Sequence, residues 1–301
     1  MKVAYLMLFH RDPMLLKRAI ERLSSEDCGF FVHVDQKSNI APFSAITGDN
    51  IFFCKRRIPV YWAEFSTVEA MLLLAQEALN SSANYDYFVF LQGSVYPLRS
   101  GGYIERFLEN HRGWEFMDLV KMPAPGYPLS RIGTLSYPSR MPVRRFAART
   151  LAKVGLLRRD FRKQLRGLEP YAGHGYGWAL SRHACQYLTD FVTANPYLVE
   201  YFQKTYAPDE SFFQTILGNS PFRPHFHRNF VYADWSAKAA HPAMINEEHI
   251  KFFAAQEKVW VEDEWDSGEM LFARKFSDDR PDLLQQMDEM IEQKEKCLTH
   301  D

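Results

Sequence analysis

The chain has 301 residues, with 36 lysines and arginines against 37 aspartates and glutamates, for a formal net charge of −1. So even a balance gives no global field toward nucleic acid, and no nucleic-acid recognition motif is present. The length suits one large α/β domain with a substantial core, and the start of the chain holds no apolar run long enough for a signal or membrane anchor, since Met1–His10 contains Lys2 and leads into charged residues. Val3–Phe9 is an apolar run of strand length, and Met14–Leu23 has apolar residues at helical spacing. Phe30–Val34 reads as a second strand, followed by a loop that carries Asp35. Ser66–Leu79 is strongly helical, and Tyr85–Leu91 is a third buried strand. Such alternation predicts a mixed, mostly parallel sheet flanked by helices, with ligands at the carboxyl ends of the strands. His10, Asp35 and Gly93 directly follow apolar strands, which places them on one rim.

Further along, Arg140–Arg166 holds ten basic residues and one acid, Asp160, with apolar residues interleaved. This predicts a basic helical pair. It docks peripherally on an anionic membrane, at about 1 kcal/mol per basic residue, or it is a solvated insertion covering the sheet. Gly173-His174-Gly175-Tyr176-Gly177-Trp178 has three glycines at alternate positions, which lets the backbone approach a ligand closely, although the spacing is not a dinucleotide fingerprint. In Pro208-Asp209-Glu210-Ser211-Phe212-Phe213, Asp209 is a good N-cap and Glu210 falls in the first helical turn. A carboxylate held there either takes a proton from a hydroxyl or, with its neighbour, merely caps the helix. Leu271-Phe272-Ala273-Arg274-Lys275-Phe276 sets a basic pair among large apolar residues. A diphosphate would satisfy both cations, Arg274 through two oxygens and Lys275 as a point charge; the other reading is a strand edge paired with Asp278 and Asp279. No Asp-x-Asp element follows a predicted strand, and His225-x-His227 is a weak ligand pair, so no metal is expected. The four cysteines (Cys28, Cys54, Cys185 and Cys297) have neither metal spacing nor framework density and read as reduced thiols of a cytoplasmic protein.

Five segments, in order, resemble a known family. Leu8-Phe9-His10-Arg11-Asp12-Pro13 is similar to its first strand and His-x-Asp-Pro-like loop, and His33-Val34-Asp35-Gln36-Lys37-Ser38 to its His-Val-Asp-x-Lys-Ser. Leu91-Gln92-Gly93-Ser94-Val95-Tyr96-Pro97-Leu98 resembles Leu-Ser-Gly-x-Asp-Tyr-Pro-Leu. Asp209-Glu210-Ser211-Phe212-Phe213 and Phe272-Ala273-Arg274-Lys275-Phe276 resemble the xylosyltransferase branch. Nearly end to end, the chain is similar to the core-2/I-branching N-acetylglucosaminyltransferases and peptide O-xylosyltransferases, as a bacterial-type member consisting of the catalytic part. The resemblance implies a GT-A-type nucleotide-sugar fold in a single domain over residues 1–301. Its parts are a nucleotide-binding half (1–110), a basic helical insertion (140–168), an acceptor and catalytic half (169–280) and a C-terminal helix (281–301).

The resemblance also implies roles. The donor is a UDP-sugar, GlcNAc or xylose, and no cofactor is needed. His10 belongs to the donor side, Asp35 contacts the uracil where the residues alone would allow a simple turn, and Trp62 covers the uridine. Arg274 and Lys275 neutralise the leaving diphosphate in place of a metal ion. Glu210 is the base of an inverting transfer to a hydroxyl of a carbohydrate or lipid-linked glycan, in surface polysaccharide or glycoconjugate synthesis. Asp209, Trp235 and His174 face the acceptor. Two positions depart from the family: Val95 stands where an aspartate is common, and Trp62-Ala63-Glu64 where Trp-Gly-Gly is common. A catalytically silent nucleotide- or sugar-binding relative is the alternative.

Overall fold

The computed structural model describes residues 1–137, 157–237, 241–263 and 265–298. Arg140, Arg144, Arg145, Arg149 and Lys153 of the basic segment lie outside the described residues. Val3–Phe9 (β1) is buried along its whole length, the signature of a strand covered on both faces. The period-2 alternation of the pleat divides its residues between two cores. Tyr5, Met7 and Phe9 pack with helices Pro13–Leu23 (α1), Gly101–Asn110 (α3) and Pro281–Leu298 (α10), while Ala4, Leu6 and Leu8 pack with Ser66–Leu79 (α2), Arg182–Ala194 (α6) and Phe212–Gly218 (α8).

The remaining strands are Cys28–Val34 (β2), Ile51–Phe53 (β3), Tyr87–Gln92 (β4), Val95–Pro97 (β5), Glu115–Phe116 (β6), Val120–Lys121 (β7), Tyr171–Ala172 (β8), Gly177–Ser181 (β9), Phe226–His227 (β10), Val231–Ala233 (β11), Trp260–Asp263 (β12), Asp266–Glu269 (β13) and Phe272–Arg274 (β14). The short helices are Ser130–Gly133 (α4), Phe161–Gln164 (α5), Pro196–Phe202 (α7) and Glu247–Ala254 (α9). Among the described residues a seven-stranded sheet has the order β10-β6-β9-β4-β1-β2-β3, with only β9 running against the rest. This is the mixed, mostly parallel sheet flanked by helices that the sequence predicts. A second sheet, β11-β14-β5, lies beyond the end of β4.

Boundaries shift where pairing decides them. β2 starts at Cys28 rather than Phe30, and β4 at Tyr87 rather than Tyr85, because both ladders begin where β1 begins, at Val3. Helix α10, Pro281–Leu298, occupies the segment 281–301 that the resemblance assigns to a C-terminal helix. Asp288 docks it on the core: its carboxylate accepts from Tyr96 Oη at 2.5 Å and Arg18 Nη1 at 2.8 Å. Of the predicted basic helical pair, the described part is the single turn α5. Arg159, just before it, donates to the Tyr201 carbonyl at 2.7 Å and lies over the Tyr201 ring.

Candidate active site

Strand direction gathers the site. Since β1, β2, β4 and β6 point the same way, His10, Asp35, Gly93-Ser94 and Asp118 all emerge at one rim. β9 is antiparallel, so the residues that precede it, Gly173–Tyr176, reach the same rim from the opposite direction. The second sheet brings Arg274, paired with Val95 and Ala233, alongside.

On one side of this rim the Asp35 carboxylate accepts from Lys37 N at 2.9 Å, Lys37 Nζ at 2.5 Å and Val60 N at 3.3 Å. Burial raises its pKa, but these hydrogen bonds outweigh burial and hold the carboxyl below its usual range. Arg57 fixes the loop by donating to the carbonyls of Val34, Asp35 and Ser38. The His10 imidazole shares this field with Arg11, Asp12, Asp35 and Lys37; desolvation and then Arg11 lower its pKa. The ring next to this group is Tyr61, 4.5 Å from Lys37 Nζ. Trp62 is 68% exposed and lies edge-on to Tyr206 and His241. Ala63 carries φ 57°, the left-handed conformation that glycine adopts without steric cost.

Arg274 is only 8% exposed and sits on the central strand of its sheet, so the strand-edge reading fails. Asp278 instead accepts from Met14 N and Leu15 N at the head of α1, and Asp279 from Ser277 Oγ. The guanidinium lies 4.4 Å over the Tyr176 ring, and Nη2 donates to Ser94 Oγ at 3.4 Å. Its Nε is buried and has no hydrogen-bond partner among the described residues. Burial lowers the Arg274 pKa to about 10. Lys275 is half-buried, and desolvation, then Arg274 and Arg11, lower its pKa. A cleft of about 440 Å³ opens beside it, lined by Met244, Ile245, Asn246, Ser277 and Leu283 among others.

The Asp209–Glu210 segment differs from the predicted helix start. Ala207, at φ 45°, leads into a 3₁₀ turn, Pro208–Glu210, and the helix begins only at Phe212. The i→i+3 bonds Glu210 N to Ala207 O and Ser211 N to Pro208 O close that turn, so Asp209 caps nothing. Burial, and then the Glu210 charge, push the Asp209 carboxyl up to about 7, against the pull of Arg131 and Arg274. Glu210 Oε2 is paired with Arg131 Nη1, whose guanidinium lies 4.7 Å over Tyr127. Gly173 N donates to Glu210 O at 3.0 Å, and a Cβ on Gly175 would stand 2.8 Å from Asp209 Oδ2. The glycines therefore admit protein: Gly173 meets the Asp118 backbone, Gly175 meets Asp209, and Gly177 meets Val231.

His174 Nδ1 lies 2.6 Å from Asp118 Oδ2, and the ring is near-parallel to Trp235 at 6.1 Å. Trp235 is 41% exposed. Tyr176 is buried under Arg274, and Trp178 stacks on Phe90 in the core. His227 is stacked on Trp114 at 3.5 Å. Among the described residues no group of three or more His, Cys, Asp or Glu is placed to hold a metal ion. Sequence reasoning missed Arg131, Asp118, Tyr61 and Arg11. Arg11 had a usable signal, its place just after β1, whereas Asp118 follows β6, which is too short to be seen.

The site is thus the strand-end rim of an α/β protein, where among the described residues Arg274 and Lys275 form no ion pair with a carboxylate and the Asp209–Glu210 pair lies nearby. The Core-2/I-Branching enzyme family model matches residues 3–142 and 172–257, more than half of the chain, and the chain belongs to that family. It is similar to beta-1,3-galactosyl-O-glycosyl-glycoprotein beta-1,6-N-acetylglucosaminyltransferase of Bovine herpesvirus 4 (strain LVR140), 24% identical over 239 residues, covering 75% of this chain and 50% of the viral protein. The Homo sapiens protein of that name is 27% identical over 127 residues, 40% of this chain and 30% of its own. Xylosyltransferase 1 of Rattus norvegicus is 23% identical over 231 residues, 73% of this chain and 26% of its own. The chain thus spans about half, or less, of the length of these curated relatives. Among solved structures, core-mannan synthase A of Aspergillus fumigatus in its Mn/GDP form is 13% identical with a TM-score of 0.41, covering 76% of this chain and 72% of that one. A likeness at that level adds nothing to the assignment.

Proposed function

We propose that the chain is a GT-A-type glycosyltransferase that moves a sugar, GlcNAc or xylose, from a UDP-sugar to a hydroxyl of a carbohydrate or lipid-linked glycan, in surface polysaccharide or glycoconjugate synthesis. The observation that carries this reading is Arg274: a buried guanidinium whose Nε has no partner among the described residues, next to half-buried Lys275, on the rim that also holds Asp35. Buried cations need an anion, and a diphosphate supplies oxygens for both. Two fixed cations that stabilise the leaving group make a metal ion unnecessary. His10 and Asp35 take the nucleoside end, and His174, Trp235 and Asp209 take the acceptor.

In the transfer, Glu210 receives the proton of the acceptor hydroxyl as its oxygen attacks the anomeric carbon from the face opposite UDP. The bond from the anomeric carbon to the diphosphate breaks, and its electron pair leaves with UDP. One displacement with a single base inverts the configuration and needs no covalent sugar–enzyme intermediate.

Calorimetric titration with UDP, first without metal and then with manganese, tests the donor site. Binding without metal, weakened by Lys275→Ala, is the expected result. A strict manganese requirement would remove the metal-independent mechanism, and no binding in either condition would end the donor-site assignment. A silent binding relative is favoured only by the grip of Arg131 on Glu210 and by Val95. UDP-sugar hydrolysis lost in Glu210→Gln excludes it; UDP binding without turnover supports it.

A further inference from the structure

Beside the Asp209–Glu210 turn lies a second polar unit that the displacement itself does not use. Asp118 is 1% exposed, yet its carboxylate is fully engaged. Oδ1 accepts from Asn229 N at 2.9 Å, and Oδ2 accepts from Asn229 Nδ2 and lies 2.6 Å from His174 Nδ1. The Asn229 amide cannot be turned over, because its Oδ1 accepts from Val231 N at 2.8 Å. With both carboxylate oxygens already receiving N–H donors, the hydrogen of the third contact belongs to the imidazole, on Nδ1. Nε2 then carries the lone pair.

The ring is also held from outside this network. Tyr176 packs at 4.8 Å, Trp265 at 5.0 Å and Trp235 at 6.1 Å between centroids. The two flanking residues tie the loop to the catalytic turn, Gly173 through its N–H to Glu210 O and Gly175 by close approach to Asp209. Among the described residues Nε2 has no hydrogen-bond partner. We infer that Asp118 is a positioning residue that holds His174 with Nε2 as the hydrogen-bond acceptor for a second hydroxyl of the acceptor sugar, next to the one Glu210 deprotonates. A sugar with neighbouring hydroxyls satisfies both groups, with the exposed Trp235 ring available to its apolar face. The inference rests on the transfer reading above.

Two measurements on the full chain separate its failure from that of the transfer reading. The first is the imidazole ¹⁵N spectrum of His174 without ligand, at a pH where the ring is neutral. The hydrogen is expected on Nδ1 in the wild type and on Nε2 in Asp118→Asn, whose amide donates to Nδ1. A wild-type ring with the hydrogen on Nε2 overturns the inference whether or not the chain transfers sugar. The second is kinetics with UDP-GlcNAc and a β-1,3-galactosyl glycoside. Asp118→Asn and His174→Ala are expected to raise the acceptor KM about tenfold, with UDP affinity unchanged. His174→Gln, which carries an amide oxygen near the Nε2 position, recovers part of the loss. An unchanged acceptor KM, or an equal loss of UDP affinity, refutes the positioning role. If the wild type binds no UDP, the transfer reading falls and the nitrogen spectrum alone decides the tautomer.

Discussion

Replacing Gly175 by alanine perturbs the Asp209–Glu210 turn without removing a charged group. The added Cβ would stand 2.8 Å from Asp209 Oδ2 and 2.9 Å from Asp209 O. The carboxylate oxygen can rotate away, but the carbonyl belongs to the backbone and moves only with the turn. Gly175 is not among the positive-φ glycines, so the effect is contact rather than torsional strain. Relief to an ordinary contact near 3.4 Å displaces the turn by about half an ångström. A misplacement of about 1 Å costs roughly a hundredfold in rate, so about tenfold in kcat is expected here. Overpacking adds about 1–3 kcal/mol of destabilisation. Arg274 and Lys275 lie on a different segment, at the end of β14, so UDP affinity by calorimetry stays at the wild-type value while transfer or donor hydrolysis falls. A variant with wild-type kcat refutes the claim that this turn sets the geometry of the base. Parallel losses in kcat and UDP affinity would mean a general distortion instead.

Three further outcomes follow from particular contacts. The Asp209 carboxyl rises from 3.8 to about 7 on folding, so between those values the native protein holds a proton that the unfolded chain has released, and stability falls as pH rises through that window. Thermal melts of Asp209→Asn from pH 4 to 8 should lose that component and show a higher Tm than wild type at pH 8. Asp288→Ala strands the buried Tyr96 hydroxyl and removes the partner of Arg18, which urea denaturation should register as a loss of about 2 kcal/mol. Trp62→Ala should leave UDP affinity nearly unchanged, because Tyr61 rather than Trp62 lies beside the Asp35–Lys37 pair; a clear loss of UDP affinity by calorimetry would support the uridine-covering role instead.

What the sequence revealed tracks the length of each element. β1, β2, β4 and α2 are long apolar or periodic runs, and each lies where its pattern predicts it, to within two residues at the boundaries. β6, β10 and β11 have two or three residues each, too few for any period to appear, so Asp118 and its partner Asn229 could not be placed at the rim. The Asp209–Glu210 pair was visible as chemistry and wrong as geometry. An N-cap residue needs extended backbone, whereas the left-handed Ala207 starts a tight turn that aims Asp209 at the Gly175 loop. The alternating glycines were read as room for a ligand, but each Cβ position is occupied by the protein itself. Arg131 left no signal because its importance comes only from where α4 sits, held by the Tyr201 hydroxyl donating to Ile132 O at 2.6 Å.

Arg131 also decides whether Glu210 is usable as a base. Both side chains of this ion pair are about 30% exposed (29% and 31%). A pair that open to water is worth at most about 1 kcal/mol. A hydroxyl donating to a carboxylate contributes about 1.5–3 kcal/mol. The substrate contact therefore wins, and it need not displace the arginine. Arg131 engages only Oε2, and among the described residues Oε1 has no hydrogen-bond partner. The guanidinium thus fixes the Glu210 rotamer while leaving one oxygen for the acceptor hydroxyl of the proposed transfer. Arg131→Ala should then lower kcat and leave UDP affinity unchanged, with Arg131→Lys recovering part of the rate through a single charged contact. A kcat that rises in Arg131→Ala would show the opposite, that the arginine holds the base closed until the acceptor arrives.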